Sequence, residues 1–452
     1  MENPIKLLRF HPISPVVGCK IHASVDFEDD DRESPELKHV WYRKRENGER
    51  ELLEVTEFYT PTPQDVGLSL EVEVIGAGVS NNFSTTPVLD YPLIHPRQMI
   101  RYGSSAAVAD LQEMDTFTVL TYNLMTHVPG SASEDLGWAA SWHYRQKRLV
   151  DEITGYRADI LCLQEIYQND FRTWFEPELL KFGYAGIFKK RSNPNLKDGC
   201  ATFYLNNRFR NLNTYEIEFD TLADEVAMKF GTPQETEEVK IHLSTGNIAV
   251  CVLLEKIDGS NGKLCVANTH ICPMSHQRGV SLFQIVSYVH EVEKFAADPK
   301  VPFILCGDFN ADPESDAYKF VTEGKLDLEA RDRKFTYVQV KGYSDIEKAV
   351  FKHLKPKRGT SLVSAYAHFF GSLPPGHPYR QKKHETLNEP CFTFLKYPVD
   401  NVLDYIFYTD GSLHHDGVLE LPNLRKTDIL PSIHWSSDHI ALMGRFSFKA
   451  EV

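Results

Sequence analysis

Residues 301–310 read VPFILCGDFN, an apolar run that stops at a glycine and then delivers an acid and an amide. Buried strands are short and need no polar face, so this run predicts a central strand rather than a helix. We expect Asp308 and Asn310, two positions apart on an extended chain, to project to the same side and share one ligand. Open α/β sheets place their sites at such strand ends. The alternative is a strand followed by a simple Asx turn.

Repetition along the chain favours the functional interpretation. Six predicted strand ends carry ligand-type side chains: Asn123, Glu165, His270, Asp308 with Asn310, Asp404, and Asp438 with His439. Strand, helix and acid-tipped strand occur twice, around predicted helices at 143–156 and 279–295. The last two predicted strands are 403–408 and 439–446. A single polar residue at a strand end would indicate nothing about function, but six of this chemical type predict a site.

Composition and charge exclude several classes of protein. With 42% hydrophobic and 25% charged residues, the 452-residue chain is not predicted to be disordered. Its formal net charge of −14 argues against a general nucleic-acid coat protein but allows an enzyme with a local basic channel. No apolar run approaches ~18 residues, so no membrane partner is expected. The first twenty residues lack a secretory pattern and several cysteines lie in apolar runs, which predicts a cytoplasmic protein, with a nuclear or mitochondrial pool left open.

The chain divides into two parts with different periodicities. Residues 1–95 look all-β, because 68–74 alternate apolar and polar side chains. We predict a small immunoglobulin-like sandwich there that docks a protein partner, and a linker at 96–115. From 116 to 450, strands alternate with helices, which is typical of a layered α/β catalytic domain.

The clustered residue types suit a hard cation. Carboxylate and amide oxygens without a cysteine partner are typical ligands of Mg²⁺, with Mn²⁺ as an alternative. Because Mg²⁺ usually binds one or two carboxylates together with a substrate phosphate, hydrolysis of a phosphoester is predicted. The predicted metal ligands are Glu165, Asp308, Asn310 and Asp438.

The acid and amide side chains also receive catalytic roles. We expect Asp308 to orient or deprotonate the attacking water. Asn310 and Asn123 would donate hydrogen bonds to phosphate oxygens as charge develops there. These three residues would therefore surround the reacting phosphate.

Two histidines complete the predicted site. His439 would bind or protonate the phosphate, and Asp404 or Asp438 would fix its tautomer. His270 would be a second donor on the phosphate side. Two histidines at strand ends beside acids favour catalysis over a surface or core role.

Six motifs, in order along the chain, resemble those of the exonuclease/endonuclease/phosphatase superfamily. They are Tyr122-Asn123, Leu163-Gln164-Glu165, Asn268-Thr269-His270, Gly307-Asp308-Phe309-Asn310, Leu403-Asp404-Tyr405 and Ser437-Asp438-His439. The resemblance implies a four-layer α/β sandwich, two mixed sheets flanked by helices, with a Mg²⁺ site at one end of the sheets. Residues 198–203 and 431–442 further resemble the deadenylase branch, which includes carbon-catabolite-repressor-type poly(A) nucleases and a 2′,5′-phosphodiesterase.

The base-binding segment departs from that branch. Deadenylases of this kind have a Thr-Asn-Tyr segment and a downstream Phe that stacks on adenine, whereas this chain has Thr393-Phe394-Leu395 and places Tyr397 at the stacking position. An aromatic platform contributes ~1–3 kcal/mol per base. Phe394 and Tyr397 are therefore predicted to contact the base, and Arg380 and Lys382 to contact the RNA backbone.

These patterns together predict a Mg²⁺-dependent hydrolase that trims RNA from its 3′ end, a deadenylase that releases 5′-AMP in mRNA decay. One alternative is a 2′,5′-oligoadenylate phosphodiesterase. Others are a phosphoesterase acting on a small molecule or lipid and a non-catalytic RNA-binding adaptor. The adaptor would carry a broken metal site, whereas every motif acid is present here.

Overall fold

The computed structural model describes most of the chain, in two compact units. The described residues are 5–27, 36–45, 47–76, 78–94, 96–102, 116–126, 137–259, 262–273, 278–296, 301–324, 326, 328, 333–335, 338–340, 342–384, 387–396, 399–425 and 428–449. The first unit comprises Met1–His95, His127–Glu152 and Pro431–Ser437. The second comprises Pro96–Thr126, Ile153–Leu430 and Asp438–Val452.

The first unit contains antiparallel strands, so the predicted all-β character of the N-terminal region is confirmed. Its strands are β1 (Ile5–His11), β2 (His22–Phe27), β3 (Lys38–Lys44), β4 (Arg50–Glu54), β5 (Ser69–Gly76) and β6 (Val79–Pro87). β1 pairs with β2, and the other four form a sheet in the order β4-β3-β5-β6. The alternation in β5 buries Leu70, Val72 and Val74 completely beside Trp41.

The second unit is built on two mixed sheets. Its strands are β7 (Met99–Arg101), β8 (Thr116–Asn123), β9 (Ile160–Tyr167), β10 (Tyr184–Lys190), β11 (Asp198–Leu205), β12 (Phe209–Glu218), β13 (Ile248–Lys256), β14 (Lys263–His270), β15 (Phe303–Asp308), β16 (Arg333–Phe335), β17 (Val338–Val340), β18 (Leu362–Ser364), β19 (Phe394–Lys396), β20 (Val399–Asn401), β21 (Asp404–Thr409), β22 (Leu413–Leu419) and β23 (Leu442–Phe448). One sheet has the order β10-β11-β9-β8-β23-β22-β7 and the other β12-β13-β14-β15-β21-β18. Apolar side chains from both sheets, including Phe117, Val252 and Ile304, pack into one core.

Helices flank the sheets, as predicted for an α/β fold of this class. They are α1 (Trp142–Tyr156, shared by the two units), α2 (Gln168–Asp170), α3 (Glu176–Leu180), α4 (Phe219–Ala227), α5 (Pro233–Leu243), α6 (Arg278–Ala296), α7 (Asp316–Glu323), α8 (Asp345–Leu354) and α9 (Ala365–Ser372). A second core joins α4–α8 to the β12–β15 sheet through residues such as Phe219, Val286 and Phe320. No helix in the described ranges is long and apolar enough to cross a membrane.

The two predicted repeats become two parallel strand pairs. β8 and β9 are parallel, with Asn123 opposite Gln164, and β14 and β15 are parallel, with His270 opposite Asp308. β21 runs antiparallel to β15 and sets Asp404 opposite Asp308. The strands therefore bring their polar ends to the same edge of the second unit.

Two sequence predictions about boundaries were wrong. Met99–Arg101, within the predicted linker at 96–115, form β7 and pair with β22; residues 103–115 lie outside the described ranges. The strand predicted at 439–446 starts only at Leu442. His439 precedes it in a loop and is joined by an isolated bridge to Phe394, because its neighbour Asp438 accepts a backbone hydrogen bond from Leu395.

Candidate active site

The candidate site lies within the second unit, where β14 and β15 end. Gly307 has φ +140°, and a Cβ there would lie 2.0 Å from the carbonyl oxygen of Thr269. Only glycine allows β15 to approach β14 this closely. The glycine that closes the apolar run therefore sets the separation of the two strands just before His270 and Asp308.

Asn310 does not share an extended strand with Asp308 as expected. Its backbone has φ +47°, and its amide nitrogen donates to Asp308 Oδ1 at 2.9 Å, so the chain makes an Asx turn. The Asn310 side-chain nitrogen donates to the carbonyl oxygen of Ile271 at 2.8 Å. The turn thus fixes one Asp308 oxygen and ties the loop after β15 to the loop after β14.

Glu165 reaches the site through a β-bulge. Between Leu163 and Ile166, β9 has one more residue than the facing stretch of β11, and Glu165 has φ +58°. Non-glycine residues in this left-handed region are uncommon and cluster at functional sites. The bulge directs Gln164 and Glu165 to different partners, since a bulge re-aims the side chains of its strand.

The side-chain amide of Asn123 joins two carboxylates. Its Nδ2 donates to Glu165 Oε1 and to Asp308 Oδ2, both at 3.0 Å. The two acceptor oxygens are therefore no more than twice that distance apart. Both N–H groups of the amide are used in these contacts. The donation from Asn123 to a phosphate stays a prediction.

His439 is oriented by Asp404 rather than by Asp438. Its Nδ1 lies 2.8 Å from Asp404 Oδ2, whereas its Nε2 lies 3.9 Å from Asp438 Oδ1 and 3.7 Å from Asp308 Oδ2. Thr393 Oγ1 donates to the same Asp404 oxygen at 2.7 Å and accepts from the Asp404 amide at 3.0 Å. Thr393 was not among the residues predicted to be catalytic, and only its place beside Phe394 in the base-binding segment signalled it.

His270 faces the same acid from the other side. Its Nε2 lies 3.6 Å from Asp308 Oδ2, and its side chain is 11% exposed. Its Nδ1 lies 3.1 Å from Nη2 of Arg191, a residue without a role in the sequence analysis. Asp308 is therefore flanked by two imidazoles.

Burial and neighbouring charges shift the pKa values of these groups. Burial, followed by the charge of Asp404, raises the pKa of Asp308 to about 7. Burial, followed by the charge of Asp438, raises the pKa of Glu165. Burial alone would lower the pKa of His439, but Asp404 raises it well above the ordinary value. The cluster therefore combines a proton acceptor poised near neutrality with a cationic imidazole.

One group of described side chains, Asp308, Asp404 and His439, is close enough to hold a metal ion: their ligand atoms lie within 4.8 Å of one another. Within this group, His439 Nδ1 and Asp404 Oδ2 are already hydrogen-bonded, and Asp404 Oδ1 is buried without a partner. Glu165 is a further acid of the site, and the charge of Asp438 acts on it. Oxygen-rich surroundings of this kind suit a divalent cation.

The predicted substrate contacts are only partly brought to the cluster. The ring of Phe394 lies 5.0 Å, centroid to centroid, from the ring of His439. Tyr397 lies outside the described residues. Lys382 donates to the carbonyl oxygen of Leu421 at 2.6 Å, and Arg380 donates to the carbonyl oxygen of Leu373. Both cations therefore hold neighbouring loops in the structure.

A buried amide pair beneath the site links the two sheets. Gln164 Nε2 donates to Asn268 Oδ1 at 2.8 Å, and Asn268 Nδ2 donates to the carbonyl oxygen of Ala201 at 2.9 Å. Both side chains are completely buried. Gln164 and Asn268, which belong to the same motifs as Glu165 and His270, thus hold the two sheets together below the site.

The chain is similar to proteins of known families over most of its length. The model of the Endonuclease/Exonuclease/phosphatase family matches residues 120–439. Carbon catabolite repressor protein 4 homolog 1 of Arabidopsis thaliana is 34% identical over 439 residues, which cover 88% of this chain and 71% of that protein. The CCR4-Not complex 3′-5′-exoribonuclease subunit Ccr4 of Yarrowia lipolytica is 28% identical over 75% of this chain and 48% of its own.

A further relative and a solved structure extend the comparison. The 2′,5′-phosphodiesterase 12 of Rattus norvegicus is 27% identical over 86% of this chain and 62% of its own. The crystal structure of ANGEL2, a 2′,3′-cyclic phosphatase, superposes with a TM-score of 0.59 at 23% identity and covers 78% of this chain and 98% of that one. This likeness shows the shared fold.

Proposed function

The chain belongs to the endonuclease/exonuclease/phosphatase family, and on that premise we propose that it is a metal-dependent 3′→5′ exoribonuclease of the deadenylase type. It would shorten the poly(A) tail of mRNA and release 5′-AMP. The supporting observation is that one amide, Asn123, joins Glu165 to Asp308 beside the His439 that Asp404 orients.

Asp308 is the general base of the proposed reaction. With a pKa of about 7, it can take a proton from water near neutral pH. The water oxygen bonds to phosphorus, the bond between phosphorus and the 3′ oxygen breaks, and the leaving oxygen takes a proton from His439. Asp404 keeps that imidazole protonated, and Nε2 of His439 lies 3.7 Å from Asp308 Oδ2. The products are a nucleoside 5′-monophosphate and a shortened RNA with a free 3′ hydroxyl.

The acidic residues fit a divalent cation, and we assign Mg²⁺. The charge of Asp438 raises the pKa of Glu165, and these two carboxylates would hold the cation, whose charge would offset that repulsion. Their oxygen ligands suit Mg²⁺ more than a softer metal. When bound, Mg²⁺ would polarise a phosphoryl oxygen and neutralise its developing charge.

The substrate assignment draws on the relatives and on Phe394. The Yarrowia relative is named a 3′-5′-exoribonuclease, and the ring of Phe394 beside His439 offers a base a stacking surface next to the reacting phosphate. Such stacking contributes about 1–3 kcal/mol per base and tolerates any base. Adenine preference would then depend on further contacts in the segment around Phe394.

A 2′,5′-oligoadenylate phosphodiesterase is the second candidate. The rat 2′,5′-phosphodiesterase 12 aligns with 86% of this chain. Both linkages present a phosphodiester flanked by adenosines, so the same acid, base and cation would serve either.

We propose the cytoplasm as the location of the protein in the cell, and a protein partner for its N-terminal unit.

The decisive experiment is a time course with 5′-labelled RNA. Substrates end in oligo(A), in oligo(U) or in 2′,5′-linked oligoadenylate, with Mg²⁺ or with EDTA. Asp308→Ala is the inactive variant, and Asp224→Ala, on the surface of α4, is the matched control.

We expect a Mg²⁺-dependent ladder that shortens from the 3′ end of oligo(A), unchanged in the control and lost in Asp308→Ala. Preference for the 2′,5′ linkage would select the second candidate. Absence of cleavage on all three RNAs would refute the proposal and favour a small phosphoester substrate.

A further inference from the structure

We propose that Arg191 is a positioning residue of this site, which acts by fixing the tautomer of His270. The inference concerns the hydrolytic site and rests on the proposed function for its kinetic consequence. The tautomer itself is a property of the resting protein and can be measured without a substrate.

The tautomer follows from which groups can donate. A guanidinium has only donors, and Arg191 Nη2 lies 3.1 Å from His270 Nδ1. His270 Nδ1 must therefore be the acceptor, and the ring proton must reside on Nε2. That atom lies 3.6 Å from Asp308 Oδ2, so its N–H points into the space where the phosphate would be attacked.

Arg191 is itself held rigidly. Its Nε donates to Asp198 Oδ2 at 2.7 Å, and its backbone nitrogen donates to the carbonyl oxygen of Asp198 at 3.0 Å. The side chain of Arg191 is only 13% exposed. At the neighbouring Gly199, a Cβ would lie 2.1 Å from the carbonyl oxygen of Lys189, so β10 and β11 approach closely where Arg191 leaves the sheet. One side-chain contact and one backbone contact to Asp198 therefore hold Arg191, and its guanidinium is a pre-organised donor.

The two histidines of the site are thus oriented by opposite charges. His439 faces the carboxylate of Asp404, which suits it to carry a proton to the leaving oxygen. His270 faces the guanidinium of Arg191, which leaves it a neutral donor aimed past Asp308. A neutral donor of this type would stabilise charge that develops on a phosphoryl oxygen in the transition state.

The kinetic test is a pair of variants and their combination. Arg191→Met should lower kcat by about 10–100-fold, as is typical when the partner that orients a functional histidine is lost. KM should change by less than about threefold, because the hydrogen bond from His270 to the phosphoryl oxygen strengthens in the transition state. Arg191→Lys should recover part of the loss. Lys190→Met, whose ammonium group contacts the carbonyl oxygen of Pro194 at 3.4 Å, is the matched loss of one nearby charge and should leave kcat unchanged.

The double variant tests whether Arg191 acts through His270. In a His270→Gln background, Arg191→Met should add little, since the residue it orients is gone. If the two losses multiply, Arg191 acts separately and the inference is wrong. Arg191→Met also leaves the Asp198 carboxylate unpaired. The double variant Arg191→Met with Asp198→Asn is therefore measured as a control for that unpaired charge, and circular dichroism checks that each variant is folded.

Nitrogen-15 NMR of histidine-labelled protein gives a readout that does not depend on activity. Wild type should show His270 with an unprotonated Nδ1 and a protonated Nε2, and Arg191→Met should shift both resonances towards a mixture of tautomers. A protonated Nδ1 in wild type would overturn the inference. Should wild type hydrolyse no RNA while the resonances behave as expected, the inference would stand and the proposed function would fall.

Discussion

Replacing Glu389 by Gln should change how the stability of the protein depends on pH. Glu389 is 1% exposed, and its Oε1 accepts a hydrogen bond from the Tyr318 hydroxyl at 2.7 Å. Burial raises its pKa to about 7, although hydrogen bonds from Ser364 and Tyr318 oppose the shift. This carboxyl group lies four residues before Thr393, the residue that holds Asp404.

The sign of the effect follows from proton uptake. The folded protein keeps the proton on Glu389 up to pH of about 7, whereas the unfolded chain releases it near 4.5. Between those values folding takes up a proton, so the free energy of unfolding falls as the pH rises and levels off above the folded pKa. At about 1.4 kcal/mol per pH unit, the pH range between these two pKa values corresponds to a loss of unfolding free energy of at most about 3 kcal/mol.

Glu389→Gln removes this titration while keeping the shape and an acceptor for Tyr318. Urea unfolding of wild type and variant at pH 5, 6, 7 and 8 measures the difference in unfolding free energy. We expect the unfolding free energy of the variant, relative to that of wild type, to increase as the pH rises, by up to about 3 kcal/mol at pH 8. Glu237→Gln, at an exposed position on α5, is the control. Parallel profiles for Glu389→Gln and wild type would refute the reasoning.

Three further predictions concern the site. The melting temperature of the wild type should rise on adding Mg²⁺, and Glu165→Gln should abolish that rise because it removes a ligand carboxylate; an unchanged rise in the variant, measured by calorimetry, would place the cation elsewhere. Asn123→Ala should lower kcat by about 10–100-fold and the unfolding free energy by about 1–3 kcal/mol, since two carboxylates lose their shared donor; kinetics and urea unfolding measure both, and equal activity would contradict it. Phe394→Ala should weaken RNA binding by about 1–3 kcal/mol yet spare hydrolysis of a phosphodiester without a base; equal losses on both substrates would mean that Phe394 supports His439 instead.

The position of the site could be predicted because strand ends follow from simple rules. Parallel strands bring their carboxyl ends to one edge, and an antiparallel neighbour brings its first residue there. His270, Asp308 and Asp404 therefore meet as their places in the sequence predict. Apolar runs ended by such residues carry that information locally.

The conformations of Glu165 and Asn310 could not be predicted in the same way. Both have positive φ values without being glycine, and such strain persists only where surrounding contacts impose it. At Glu165 the conformation is imposed by the bulge in the pairing of β9 with β11. At Asn310 it is imposed by the hydrogen bond from its backbone nitrogen to Asp308 Oδ1. A period-2 pattern cannot reveal either, because each depends on a partner strand or loop far away in sequence.

The two histidines show why residue type alone leaves roles undecided. His270 ends β14 and His439 lies in the loop before β23. Burial and Arg191 lower the pKa of the first, while Asp404 overcomes burial and raises that of the second. Each partner is distant in sequence, 79 positions away for Arg191 and 35 for Asp404. Within a buried site a single charged neighbour outweighs the intrinsic preference of the imidazole. The division of labour between proton donor and neutral hydrogen-bond donor is therefore set by the fold, through which charged side chain it brings to each ring.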